Sequence, residues 1–328
     1  TARPPYAVPP MTLRAYSLRY PVDRALLRRT RLAYVHLRNL LIDAKRDRTA
    51  RVYGYVVVWL PEEMLMLFLQ EGEVVNATGT TDGMRFRSLS ISEAVAEVPN
   101  AAEFGEICFH AADDEQLATM YWTQTHEALE WPAELALRDA HAVRAYLHST
   151  MHDGVVEVQA NGGVSYMMLR QGELTRGFFA DRAEGTPEQR LRGLLDPERK
   201  AIVRLWPVPP PLFVQAPPAL IQAYRELMAA VVKRLVECGT DRAPAVAEHA
   251  RQSLSQHHQA LERFSLQLPN PRDPVAATPV LSAAIGAWLC ELLSAAAPAD
   301  GTAPERLIAD LTRDRWHVFQ SAGLYDAL

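Results

Sequence analysis

The sequence predicts an α+β protein in which two small tandem α+β modules precede a C-terminal α-helical bundle. Three observations predict it. Anchor residues recur at a constant spacing of one hundred, six prolines crowd residues 207–218, and beyond them the apolar period becomes helical. The boundaries that follow are a basic N-terminal arm over 1–29, a first module over 30–125, a second over 126–210 and a helical domain over 211–328. A length of 328 residues suits two or three domains.

The N-terminal arm is distinguished by charge. Residues 1–51 hold 12 Lys/Arg against 3 Asp/Glu, whereas residues 52–150 hold 4 against 16. The formal net charge of −5 therefore hides a basic block on an acidic body. The opening TARPPYAVPP carries one charge and no apolar stretch of signal-peptide length, so no secretory signal is expected.

In the first module, residues 33–46 place Leu37, Leu40, Leu41 and Ala44 at helical spacing. RVYGYVVVWL and MLMLFLQ then read as two strands across a short turn, and Gly72 turns the chain into a further strand. SLSISEAVAEV and GEICFHAA supply a closing helix and strand. The second module repeats the order. A helix around 134–148 precedes GVVEVQ, and Asn161-Gly162-Gly163 forms a hairpin turn, since glycine tolerates positive φ. VSYMMLR and a turn at Gly172 follow. Thr186-Pro187-Glu188-Gln189 is an N-cap, a proline at N1 and a capping-box partner for the next helix, and KAIVRLWPV closes the module.

These anchors pair as Leu37-Arg38-Asn39 with Leu137-Arg138-Asp139, Gly54 with Gly154, and Gly72-Glu73-Val74 with Gly172-Glu173-Leu174. With the closing GEICF, the layout resembles the PATAN-like family, small α+β modules often attached to bacterial response regulators. The resemblance covers about residues 30–112 and 130–208. The second copy departs from the pattern, because no glycine precedes its closing strand and WPVPPP ends it. The resemblance implies protein-interaction modules without catalysis.

The run WPVPPPLFVQAPPAL reads as a stiff spacer, or as a ligand for an aromatic groove. Four helices are predicted beyond it, at 219–237, 245–266, 280–296 and 304–320. The third is apolar enough to raise the question of a membrane span, but Glu291, Pro279 and Pro298 favour a buried bundle helix.

Chemistry-bearing motifs are sparse. There is no phosphate-binding glycine loop, no G-x-S-x-G elbow and no C-x-x-C pair, and Cys108, Cys238 and Cys290 read as inert, buried thiols of a reducing compartment. His257 and His258 form the one histidine pair on a predicted helix. His257 is expected on its apolar stripe and His258 paired with Glu262, with a metal-dependent enzyme as an alternative reading. No catalytic, cofactor-binding or metal residue is assigned.

The candidate partner-binding residues are Arg24, Arg28, Arg29, Arg31, Lys45, Arg46, Arg48 and Arg51. Such a block pairs internally with the acidic body, or docks on an acidic protein surface or on anionic lipid head groups. Nucleic acid is not expected, because the rest of the chain is acidic. The function expected is a non-catalytic scaffold in the cytoplasm or peripheral at the cytoplasmic membrane face. A membrane-extrinsic subunit of a respiratory or photosynthetic complex is one form, and a soluble adaptor of a response-regulator pathway is an alternative.

Overall fold

A computed structural model describes residues 11–46, 52–99, 104–264, 266 and 272–328. The protein is mixed α/β with two antiparallel sheets. It divides into two compact units: the described residues of Thr1–Leu89 with Ala94–Phe213, and those of Ser90–Glu93 with Val214–Leu328.

In chain order, the first unit opens with a helical turn α1 (Leu13–Ser17), then β1 (Arg24–Arg31), α2 (Leu37–Arg46), β2 (Gly54–Trp59), β3 (Met64–Gln70), β4 (Glu73–Thr80) and β5 (Arg87–Leu89). Helix α3 (Ile91–Glu97) follows, its residues up to Glu93 counted with the second unit, and the first unit continues through β6 (Glu106–Ala111), α4 (Asp114–Thr125), α5 (Ala140–Ser149), β7 (Gly154–Ala160), β8 (Gly163–Arg170), β9 (Glu173–Phe178), α6 (Pro187–Leu194) and β10 (Ile202–Pro207). The first sheet has the order β1-β6-β2-β3-β4-β5 and the second the order β10-β7-β8-β9. Thr186 and Gln189 form the capping box at α6 that their spacing predicts, with Pro187 at its first turn.

Alternation along the strands sends side chains into separate layers. Val56, Val58, Leu65, Leu67, Ile107 and Phe109 face outward from the first sheet onto Leu37 and Ala44 of α2. On the second sheet, Val156, Val158, Met167, Leu169 and Leu205 cover Val143 and Leu147 of α5 and Leu191 of α6. The opposite faces share one core: Tyr55, Val57, Met66 and Phe68 from the first sheet meet Val155, Val164, Tyr166 and Phe178 from the second. Helix α4 belongs to this shared layer. Eight of its twelve residues are buried, from Gln116 through Gln124, so it carries no polar face. Tyr121 meets Phe68 edge to face at 5.5 Å, and the Thr119 hydroxyl approaches Sδ of Met168 at 3.6 Å.

Residues 11–22 tie the two sheets together. Met11 N–H donates to the Pro61 carbonyl and Thr12 N–H to that of Thr81, both beside the first sheet. Eight residues later Arg19 bridges Gly163 of β8, donating to the Gly162 carbonyl at 2.8 Å and accepting from Val164 at 2.9 Å. Val22 N–H then reaches the Phe179 carbonyl at 3.3 Å. The described part of the sequence-predicted arm is thus woven into the sheets and continues as strand β1.

The proline run also differs from a free spacer. Pro210, Pro211, Leu212 and Phe213 lie along α4 within the first unit, and Phe213 stacks on Tyr121 with centroids 6.2 Å apart. The Asn76 side-chain amide donates to the Phe213 carbonyl.

The second unit contains α7 (Pro218–Glu237), α8 (Ala243–Ser255), α9 (Thr278–Ala295), α10 (Pro304–Thr312) and α11 (Trp316–Ser321). Its core gathers Tyr224, Leu227, Val231, Leu235, Ile285, Trp288, Leu289, Leu292, Leu307 and Phe319. Three of the polar side chains inside it are matched. Trp288 Nε1 donates to the Ala247 carbonyl at 2.8 Å, and Ser282 donates to the Ala322 carbonyl at 2.7 Å while it also meets the Tyr224 hydroxyl at 2.7 Å. Helix α9 is long and apolar enough to cross a bilayer by length and composition. Half of its eighteen residues are buried in this unit's core.

Helix α8 is shorter than the 245–266 the periodicity predicts. It stops at Ser255, and Arg251, 8% exposed, reaches past its end to the carbonyls of Leu261 at 2.7 Å and Glu262 at 3.2 Å. That capping by a buried guanidinium stabilises a turn where the helix was expected to run on. His257 therefore lies beyond the helix and is exposed, not on a buried stripe. His258 falls in the same turn, so its expected one-turn pairing with Glu262 on a helix does not form.

Candidate functional site

The basic residues of the first unit separate into two sets. Arg24, Arg28, Arg29 and Arg31 occupy β1, and Lys45 and Arg46 occupy the last turn of α2, where cations complement the helix dipole. Arg48 and Arg51 lie outside the described residues. Arg29 is committed internally. Its Nε donates to the Glu106 carboxylate and its Nη1 to the Tyr16 carbonyl at 3.1 Å, with the guanidinium 4.5 Å from the Tyr16 ring centroid and 3.9 Å from that of Trp59. Lys45 pairs with Glu73 at 2.5 Å. Arg24, Arg28, Arg31 and Arg46 are exposed and make no ion pair among the described residues.

β1 explains that split. Its residues alternate between half-buried and exposed, Ala25 and Leu27 being half-buried, until the pattern breaks where Arg28 and Arg29 are both exposed. The register against β6 shifts in the same stretch, between Leu27 and Thr30. Such an irregularity lets neighbouring residues point differently. Arg29 is the one that turns back onto Trp59 and Glu106.

A polar group of another kind lies in the shared core. Glu157 of β7 stands directly between Tyr166 of β8 and Arg204 of β10, and all three share the face that packs toward the first sheet. The Glu157 and Arg204 side chains are 3.4 Å apart and mostly buried. Burial pushes the Glu157 carboxyl up to about 7, with Arg204 opposing. The Tyr20 and Tyr166 hydroxyls beside it are raised well above the usual phenol range, chiefly by burial and further by Glu157. The first-sheet residues at the matching register are apolar or uncharged: Val57 between Met66 and Cys108. Sequence reasoning passed over this pair. The available signal was a lone acid inside GVVEVQ and a lone base inside AIVRLW, each surrounded by β-branched or apolar neighbours.

Near the N-terminus of α4, Asp23, Asp113, Gln116, Arg176, Phe178 and Asp181 line a polar cavity of 340 Å³. Its charges are mostly matched by the protein: Arg176 holds Asp113 and, at 2.8 Å, Glu115, and Arg190 holds Asp181. Burial pushes the Cys108 thiol up to about 12, so at neutral pH it is protonated and inert. Among the described residues, no group of three or more His, Cys, Asp or Glu side chains is placed to hold a metal ion, and this includes the His257–His258 turn. Comparison with known protein families, curated proteins and solved structures finds no match to this chain.

Proposed function

We propose that this protein works by contact, as a non-catalytic scaffold that docks on an acidic protein surface through the exposed arginines of β1, with Arg46 at the end of α2 as a further exposed cation. The observation that carries the reading is the set Arg24, Arg28, Arg31 and Arg46, exposed and without an ion-pair partner among the described residues. An acidic chain that needed its cations for internal stability would place carboxylates beside them, as it does for Arg29 and Lys45. The partner-binding set is accordingly narrowed to these four, with Arg29 and Lys45 holding the surface in shape.

The scaffold in this reading consists of two copies of one PATAN-like module and a helical C-terminal bundle. Support comes from register. Gly54 faces Leu69 and Gly154 faces Leu169, while Gly72 N–H donates to the Val52 carbonyl and Gly172 N–H to that of His152. The strand series β6-β2-β3-β4 and β10-β7-β8-β9 follow one plan. A membrane-extrinsic subunit of a multi-subunit complex is the form we favour, with the partner supplying the carboxylates.

The test is affinity capture of the full chain from native membranes and cytosol, comparing wild type with Arg28→Glu/Arg31→Glu. Stoichiometric partners that are retained by wild type and lost by the variant are expected. Identical partners and recovery for the two proteins would sink the reading.

A further inference from the structure

β1 ends the six-stranded sheet, and its outer edge has no strand beside it among the described residues. An edge of this kind presents a row of free backbone donors and acceptors, a template on which another chain can pair. We infer that β1 accepts an extended acidic segment of a partner protein as an added strand. This rests on the contact reading above and names its mode.

Charge argues for the occupant. Arg24, Arg28 and Arg31 recur along the eight residues of β1, with Leu26 exposed between the first two. At about 3.4 Å per residue they span roughly 24 Å, the length of an ordinary strand. A second copy of this edge would set guanidinium against guanidinium. Arg24 lies opposite Ala111 and Arg31 opposite Glu106, so the two project from different faces of the sheet, and an incoming strand with carboxylates on both faces meets them with opposite charge and offers the free backbone groups their partners. The same arginines thus exclude the homotypic pairing and admit the acidic one. Leu26 gives such a strand an apolar contact as well.

The rival account is that these arginines only guard the edge. The two are separated with the full chain and an eight-residue fluorescein-labelled peptide of alternating Glu-Glu and Val-Val pairs, which shows carboxylates on both faces when extended. Two further peptides carry N-methyl groups on alternate residues, one set for each edge, and vesicles of phosphatidylcholine with 30% phosphatidylserine serve as a second anionic probe. Fluorescence anisotropy is expected to show saturable binding of the parent peptide. A loss of at least tenfold is expected for one of the two N-methylated peptides and for Arg28→Glu/Arg31→Glu, and exchange of the Arg24–Arg31 amides should slow in the complex. Because neither Arg28 nor Arg31 has an ion pair among the described residues, the variant should melt at the wild-type temperature; Arg28→Gln/Arg31→Gln replaces it if it does not.

Equal affinity for all three peptides would overturn strand addition while leaving the contact reading intact, since charge alone would then explain binding. Failure to bind the parent peptide, or binding to the vesicles with no binding to the peptide, would overturn the inference as well. The contact reading itself fails only if capture from cell fractions ignores the charge reversal.

Discussion

Glu157 provides a prediction with a definite sign. Replace it by Gln, which keeps the shape and removes the titration. With its carboxyl displaced from an ordinary 4.5 to about 7, the folded state holds this proton more tightly than the unfolded chain does. The folded value lies above the unfolded one, so the stabilisation from this group is complete below about pH 4.5, declines as pH rises towards about 7, and is absent above it. At about 1.4 kcal/mol per pH unit the whole change is roughly 3 kcal/mol. Below about pH 7 the wild-type Glu157 is itself neutral, and the attraction to Arg204 that appears above it is already contained in the displaced value, so the useful quantity is the difference between variant and wild type as a function of pH. Exchange free energies of the β7 and β8 amides, measured on both proteins between pH 5 and pH 8, give it directly. The variant is expected to gain on wild type by about 2–3 kcal/mol across that interval. A difference that stays flat, or one in which the variant loses ground as pH rises, would refute the reasoning. The second outcome would mean that attraction to Arg204 outweighs desolvation.

Three further outcomes follow from the geometry. Arg29→Ala removes the Glu106 pair and the packing on Tyr16 and Trp59 and should lower the stability of the first unit by about 1–2 kcal/mol, whereas Arg28→Ala should stay within about 0.5 kcal/mol in urea unfolding. Gly172→Ala forces a side chain onto a backbone with φ +77°, with its Cβ only 2.6 Å from the Leu147 carbonyl oxygen, and should cost more than about 2 kcal/mol by the same measurement. Gly72, at φ +79° against the Ala44 carbonyl, should behave alike. Ellman's reagent at pH 8 should modify exposed Cys290 in the native protein and reach Cys108 only after unfolding.

Much of the strand architecture was legible because short, strongly apolar runs with turn residues at their ends have few alternatives. GYVVVW, MLMLFLQ and GVSYMMLR are strands as their composition predicts. What escaped the sequence has physical reasons. Helix α4 shows no stripe because it is buried nearly all round, so DEQLATMYWTQT gives no periodic signal. β1 reads as a basic arm because an edge strand shows its charges to solvent, and in RALLRRTR those charges mask the half-buried Ala25 and Leu27. The end of α8 depends on Arg251 reaching residues ten and eleven positions further on, a contact no local pattern encodes. The candidate surface was legible as a cluster of arginines. Which of them are free was not, since the pairing of Arg29 with Glu106 spans 77 residues.

The lacing of residues 11–22 has a consequence for how the chain is made. The segment leaves the ribosome well ahead of the backbone groups that receive it at Gly162, Val164 and Phe179, which are translated some 140 residues later. Until they emerge, Leu18 and Tyr20, both buried in the finished protein, have no second sheet to cover them. At about 5–20 residues per second that interval lasts of the order of ten seconds. The first sheet has all its strands by Ala111, so the nascent chain passes through a stage with one complete sheet and a waiting apolar strap. Such a stage is where a chaperone would be recruited, and where a pause in translation would do most to decide the yield of folded protein.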